Sequence, residues 1–252
     1  MRDLEGATVI LTRAIQDNVA LRVSLEARGA AVVELPCVAI RPLLNVAALG
    51  QALRALAASD RLVLTSRAGA TAVGRALRGR RLRARVAVVG AATLEAARRA
   101  GLEPDFVPSR PDGATLGREL PIPRGTVLLA RADRALPELP AALRARGAEV
   151  REVVAYHTVT PAPADVARAR EALATLRPIV FVASPSGVDG LVELVGADLA
   201  RRARPVALGE RTAARVRERL ALDPAVAGSP EREAIVRAIS HVALEVQDDD
   251  HR

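Results

Sequence analysis

Lysine is absent from this chain: all 37 of its basic residues are arginine. That excludes a Schiff-base lysine, a lysine general base and the lysine of a nucleotide-binding P-loop. Aromatic residues are almost as scarce, with Phe106, Tyr156 and Phe181 the whole set and no tryptophan. Single-stranded nucleic acid is held by stacking bases on aromatic rings, so that partner is not expected. Cys37 is the one cysteine. It cannot form an intrachain disulfide, and nothing points to an oxidising compartment. His157, His241 and His251 lie far apart, with no H-x-E or C-x-x-C spacing, so no metal site is expected. A G-x-G-x-x-G fingerprint, a P-loop and a serine nucleophile elbow are also missing. Dinucleotide binding, NTP binding and α/β-hydrolase chemistry therefore have no support. No apolar run approaches the ~20 residues of a membrane-spanning helix. The opening residues, with Asp3 and Glu5, do not read as a signal peptide. A cytosolic protein is expected, and the polar tail from Gln247 to Arg252 is expected to be disordered.

What is present is a long internal repeat. Gly6-Ala7-Thr8-Val9-Ile10-Leu11-Thr12-Arg13 returns, 118 positions on, as Arg124-Gly125-Thr126-Val127-Leu128-Leu129-Ala130-Arg131. Leu25-Glu26-Ala27-Arg28-Gly29-Ala30 returns as Leu143-Arg144-Ala145-Arg146-Gly147-Ala148, and Leu64-Thr65-Ser66 as Val182-Ala183-Ser184. Val89-Gly90-Ala91-Ala92-Thr93 returns as Leu208-Gly209-Glu210-Arg211-Thr212. Solenoid repeats run ~20–50 residues, so this period is that of a domain. Two similar domains make a cleft, a usual place for a small-molecule ligand. The formal charge of +8 favours an anionic one.

Each copy alternates short β-rich runs with helical spacings. In the first, strands are expected at 8–12, 31–35, 61–65, 85–89 and 105–107, with helices at 18–28, 46–57, 68–77, 92–100 and 115–120. In the second, strands are expected near 126–130, 149–154, 179–183, 205–208 and 225–227. That alternation predicts two doubly wound α/β domains with parallel sheets covered on both faces. The boundary has two candidates. One is Pro121-Ile122-Pro123. The other is the matched pair of arms Pro36–Leu43 and Glu152–Pro161, whose antiparallel pairing would give each domain the front of one copy and the back of the other.

In an open α/β sheet, ligands bind at the carboxyl edge. The polar residues expected there are Ser66, Ser184, Thr93 and Thr212, the glycines Gly90 and Gly209, and Arg13 and Arg131 at the ends of the first strands. Ser184 before Pro185 is an N-cap signal, and helix N-termini attract carboxylates and phosphates. Arginines clamp the same groups bidentately. The basic run Arg75–Arg85 reads as a solvated face. Tyr156, the one tyrosine, lies on the second arm, and a phenol there can give a proton to a departing oxygen. Alternation turns His157 to the opposite face.

The order and spacing of these pieces, together with Phe106-Val107-Pro108, Val154-Ala155-Tyr156-His157-Thr158 and Ala183-Ser184-Pro185-Ser186, resemble the uroporphyrinogen-III synthase family over about residues 6–240. The resemblance implies the crossed connectivity: residues 1–37 with 160–252 as one domain, 44–152 as the other, and 38–43 with 153–159 as a two-stranded linker. It implies a lyase that cyclises hydroxymethylbilane, a linear tetrapyrrole with eight carboxylates, to uroporphyrinogen III, inverting the last pyrrole ring and losing water. No cofactor or metal is implied, and a monomer is expected. The family tyrosine that assists departure of the hydroxyl falls on Tyr156, and the family Ser and Thr cleft positions on Ser66, Thr93, Ser184 and Thr212. The turn after Ser66 reads Arg67-Ala68-Gly69, where many relatives carry an Asn, which leaves contact through the backbone. The other reading of the same residues is a non-catalytic two-domain anion-binding or regulatory module. A receiver-type module would need clustered acidic strand ends and a lysine.

Overall fold

A computed structural model describes residues 3–162, 166–176 and 178–249. The chain begins with β1 (Thr8–Leu11), α1 (Ile15–Glu26) and β2 (Ala31–Glu34). The middle carries β3 (Ala39–Pro42), α2 (Ala47–Arg54), β4 (Arg61–Leu64), α3 (Arg67–Leu77), β5 (Arg85–Val88), α4 (Ala91–Arg99), β6 (Pro104–Phe106) and α5 (Gly113–Glu119). It continues with β7 (Thr126–Ala132), α6 (Glu138–Ala145) and β8 (Glu149–Val159). The last part holds α7 (Val166–Ala174), β9 (Ile179–Val182), α8 (Pro185–Val195), α9 (Ala197–Ala200), β10 (Arg204–Ala207), α10 (Glu210–Leu220), β11 (Ala225–Val226) and α11 (Arg232–Asp249).

Two compact units result, Met1–Ala39 with Val159–Arg252, and Ile40–Thr158. The first holds a five-stranded sheet in the order β11-β10-β9-β1-β2. The second holds six strands in the order β3-β8-β7-β4-β5-β6. Dropping β3, the two orders match strand for strand once the 118-residue repeat offset is applied. The pairs β1–β2, β1–β9, β9–β10 and β10–β11 are parallel, as are β4–β5, β4–β7, β5–β6 and β7–β8.

The strands are apolar because both faces are covered. Val9 and Leu11 of β1 pack in one cluster with Phe181 and Ile239, while Ile10 between them packs in another with Val180 and Leu191. In the second unit Leu62 and Leu64 of β4 join Val73 and Ala97, and Val63 joins Leu116 and Leu143 on the other side. The period-2 alternation of a strand thus feeds two cores at once. Each such side chain contributes about 1.5–3 kcal/mol by leaving water.

Most expected elements fall within a residue or two of the observed ones; the helix expected at 18–28 starts at Ile15, the one expected at 46–57 ends at Arg54, and three further readings differ. The expected strand near 149–154 runs on to Val159, because β8 continues straight into the arm that carries Tyr156. Ala39–Pro42 is itself a strand at the edge of the second sheet beside β8. The tail expected to be disordered from Gln247 is helical to Asp249, the end of α11, and residues 250–252 lie outside the described residues.

Gly190, in the middle of α8, marks where that helix meets the segment following β2. A Cβ on Gly190 would overlap the Cys37 carbonyl oxygen. Cys37 itself is fully buried, and burial pushes its thiol up to about 12. A thiol reagent at pH 8 therefore leaves Cys37 untouched in the native protein and labels it in denaturant. Gly190→Ala forces the helix off that carbonyl. Overpacking of this kind costs about 1–3 kcal/mol, so this variant should unfold at lower urea and its Cys37 should become reactive under native conditions. A variant as stable and as unreactive as the parent would refute the packing constraint.

Candidate functional site

Strands that bury both faces can present polar groups only where they end. Parallel pairing in register sets those ends side by side. In the second unit Leu64 of β4 lies beside Val88 of β5 and Ala130 of β7, so Ser66, Gly90 and Ala132 follow at one edge. In the first unit Val182 of β9 lies beside Ala207 of β10, and Phe181 beside Leu11 of β1, which brings Ser184, Gly209 and Arg13 to one edge. Each helix that starts there directs its first backbone N–H groups outward.

Ser66 and Ser184 are the N-caps of α3 and α8. Each side-chain oxygen accepts a hydrogen bond from the backbone N–H three residues on, Gly69 at 3.0 Å and Gly187 at 3.1 Å. Both caps have extended backbone, as an N-cap requires. Gly90 and Gly209 occupy the same position before α4 and α10 without a side-chain cap. Thr93 and Thr212 are the third residues of those helices and are buried, at 5% and 4% exposed.

Tyr156 stands against Ser66. The phenol oxygen lies 2.9 Å from Ser66 Oγ, and the residue is 8% exposed. Gly69 packs close beside the pair: a Cβ there would crowd the Ala130 carbonyl oxygen at 3.1 Å and Ser66 Oγ at 3.2 Å, and would touch the Tyr156 ring at 3.9 Å. A β-bulge turns the ring inward. Between Arg131 and Ala132 the β7–β8 register steps from Val154 to Tyr156, so Ala155 and Tyr156 both enter the same core cluster. His157 faces the other way and bonds through Nδ1 to Asp133 Oδ2 at 2.9 Å.

The first unit repeats the cap without the phenol. Val38 stands 118 residues before Tyr156. Its side chain lies 3.9 Å from where a Cβ on Gly187 would be, as the Tyr156 ring does at Gly69. With no phenol at hand, Ser184 Oγ meets Ser186 Oγ at 3.1 Å.

The two strand-end arginines also differ. Arg131 is 7% exposed, its guanidinium on Glu152 at 3.3 Å and on the Leu136 carbonyl oxygen. It is a strut within the second unit, with its donors already engaged. Arg13 is half-buried; its backbone carbonyl accepts from Asn18 Nδ2 at 3.1 Å, and its guanidinium has no ion-pair partner among the described residues. The arginines of the 75–85 run are exposed, as expected of a solvated face. Arg80, Arg81 and Arg83 rim a groove of about 290 Å³ with Leu53 and Leu77, on the loop leading into the start of β5 and so away from the strand ends that carry Ser66.

Asp133 is the residue that the sequence reading missed. It follows Arg131 by two positions, at a strand end that the register brings to Tyr156. Its N–H donates to the Tyr156 carbonyl at 3.2 Å, and its Oδ1 accepts from Thr158 N–H at 2.9 Å and from Arg134 N–H at 3.0 Å. Partial burial is the largest influence on its carboxyl and pushes its pKa up. The bonds from Thr158 and His157, the His157 charge and the Arg134 bond together outweigh it, holding the carboxyl below its ordinary 3.8. Among the described residues no group of three or more His, Cys, Asp or Glu could hold a metal ion, and no helix is long and apolar enough to cross a membrane.

Two doubly wound parallel sheets of matching strand order, with small and capped residues at their carboxyl edges, define a duplicated two-unit α/β protein. The family model described as uroporphyrinogen-III synthase HemD matches residues 19–237. The chain belongs to the uroporphyrinogen-III synthase family. It is 31% identical over 166 residues to the uroporphyrinogen-III synthase of Synechococcus elongatus, a stretch that spans 63% of this chain and 63% of that relative. Its fold is similar to a mutant uroporphyrinogen III synthase from Thermus thermophilus, with TM-score 0.67 and 21% identity over 95% of this chain and 100% of that one. It is also similar to the Helicobacter pylori uroporphyrinogen-III synthetase, with TM-score 0.58 and 14% identity over 94% and 99%.

Two outcomes are expected. Ser66→Ala and Ser184→Ala each lose about 1 kcal/mol of cap stabilisation by urea denaturation, but only Ser66→Ala changes the tyrosine ultraviolet spectrum, since Tyr156 is the sole tyrosine. Equal spectra in the two variants would deny the Ser66–Tyr156 bond. The second outcome concerns acid. Because the folded Asp133 carboxyl titrates below its unfolded value of 3.8, its contribution to stability is complete above that value and is lost as pH falls through the folded one. Asp133→Asn should flatten that part of the acid-unfolding curve and lower stability at neutral pH, where the contribution of the carboxylate is complete.

Proposed function

We propose that the chain is a working uroporphyrinogen-III synthase that takes hydroxymethylbilane, inverts its last pyrrole ring while closing the macrocycle, and releases water. The observation that carries this is the Tyr156 phenol, seated 2.9 Å from a capping serine at the carboxyl edge of a parallel sheet, in a chain of this family.

Ser66 Oγ already accepts the Gly69 N–H, which leaves its own hydrogen to donate to the Tyr156 oxygen. The phenol hydrogen is then free to point at the leaving hydroxyl. As the pyrrole nitrogen pushes its electron pair toward the hydroxymethyl carbon, the carbon–oxygen bond breaks with the pair on oxygen. The phenol proton makes that oxygen water. Ser66 steadies the phenolate, and the proton released from the ring carbon when the macrocycle closes restores the phenol. The step needs no strong nucleophile, and we propose no cofactor. Carboxylates would be gripped by the N–H groups opening α3, α4, α8 and α10, around Ser66, Gly90, Thr93, Ser184, Gly209 and Thr212, with Arg13 as a free guanidinium. Arg131 acts indirectly, holding the β7–β8 edge. The larger task is to fold the chain of four pyrroles so that the inverting attack outruns direct closure.

We further read 38–43 and 153–159 as the linker between the units, and the protein as a cytosolic monomer that works on a small molecule without nucleic acid. The test supplies hydroxymethylbilane, oxidises the product and separates the type I and type III isomers. Type III should dominate; type I alone would end the enzyme reading in favour of a binding module. Tyr156→Phe should lower turnover by about 10²-fold, the low end for a positioned acid. Undiminished turnover would reduce the tyrosine to packing.

A further inference from the structure

We propose that Asp133 is a positioning residue for Tyr156: it clamps the backbone of the bulged strand so that the phenol is held at both ends. This rests on Tyr156 acting on the leaving hydroxyl. A bulge leaves its extra residue unpaired and breaks the ladder, and here the break falls immediately before the tyrosine, at Ala155. Asp133 mends it from the facing strand end. Its N–H takes the Tyr156 carbonyl, its Oδ1 takes the Thr158 N–H, and its Oδ2 takes His157 Nδ1. The backbone from the Tyr156 carbonyl to the Thr158 N–H is thereby tied to one aspartate, through its main-chain N–H and its carboxylate, while the ring oxygen is tied to Ser66.

A turn aspartate can also serve folding alone, and the internal repeat separates the two roles. Subtracting 118 maps Asp133, His157 and Thr158 onto Ile15, Ala39 and Ile40. None of those three can make the clamp, and Ile15 is 53% exposed at the start of α1. The first unit nonetheless forms the matching sheet, and it keeps the capping serine and its glycine. The fold does without the clamp; it occurs in the copy whose facing residue is tyrosine rather than Val38. An acid must be held within about 0.5 Å of its productive place, and a misplacement of about 1 Å costs roughly 10²-fold.

The sole tyrosine, in a chain without tryptophan, gives a readout independent of turnover. Tyrosine labelled with ¹³C at Cζ yields one NMR resonance, that of Tyr156. In Asp133→Ala this resonance should move, and kcat should fall about tenfold with KM within about twofold, a tenth of the loss expected for a 1 Å misplacement. Asp133→Asn keeps an acceptor for Thr158 N–H and should recover kcat to within about threefold of the parent. A folded Asp133→Ala protein with an unmoved resonance and unchanged kcat overturns the proposal. If Asp133→Ala does not fold, His157→Ala removes one leg of the clamp and must shift the resonance; an unmoved one is equally fatal. Should the parent itself make no type III isomer, the proposed function fails instead, and the resonance still decides whether Asp133 sets the place of Tyr156.

Discussion

Burial of short parallel strands on both faces leaves little room for a polar side chain along their length, and those that enter, such as Arg61 and Arg131, do so near a strand end. Val9, Ile10 and Leu11 divide between two cores, as do Leu62, Val63 and Leu64. Most groups able to meet a polar ligand are therefore displaced to the residue or two after each strand, where the chain turns into a helix; Tyr156, within the less buried β8, is the exception. Sheet register then decides which of those residues become neighbours. Ser66 and Gly90 adjoin because Leu64 and Val88 pair; Tyr156 comes within reach because β8 runs beside β7 and slips by one residue at the bulge. The polar edge is thus a consequence of packing, with the chemistry added by a few residues that packing leaves free.

Duplication shows which of those residues the fold itself needs. Ser66 and Ser184 both cap a helix, each with a glycine three residues on. That pairing serves helix initiation in either unit. Tyr156 and Arg13 have no counterpart of equal chemistry: the first is matched by Val38, and the second by an Arg131 whose guanidinium is spent inside its own unit. Features common to both copies serve the fold whatever else they do, and departures from the repeat are where chemistry beyond the fold can be sought. On that basis the proposed roles are unequal: the phenol belongs to one unit and the unpaired Arg13 guanidinium to the other.

The architecture was largely legible because its signals are local and strong. Alternating apolar runs, Gly29 and Gly101 after helices, and Ser184-Pro185 before one place most elements within two residues. Side-chain direction at the site was less legible. Strand alternation alone puts Tyr156 and His157 on opposite faces, but not Ala155 and Tyr156 on the same one; that needs the bulge, and nothing at Val154-Ala155-Tyr156 marks a bulge. Arg13 and Arg131 look alike in sequence because their difference lies in Glu152 and the Leu136 carbonyl, which the fold brings to one of them. Asp133 escaped notice because an isolated aspartate after a strand reads as a turn. Its meaning comes from three partners 23 to 25 residues away, at Tyr156, His157 and Thr158.

If the proposed function holds, a grip made of backbone donors also has an evolutionary consequence. The N–H groups that open α3, α4, α8 and α10 exist whatever side chains follow, provided the strand ends and the caps are kept. Selection on such a site acts on the path of the chain more than on residue identity. Helix starts can hold their place while their sequences change, since the fold is shared with structures at 21% and 14% identity. What cannot drift freely is a group whose side chain must reach one atom of the substrate. Such a group needs its own rotamer and its own backbone fixed, and Tyr156, in the role proposed for it, has both: Ser66 at the ring oxygen and Asp133 at the main chain. In that reading the cost of precision falls on a handful of residues around one phenol, while a polycarboxylate could be left to geometry that any well-made α/β edge provides.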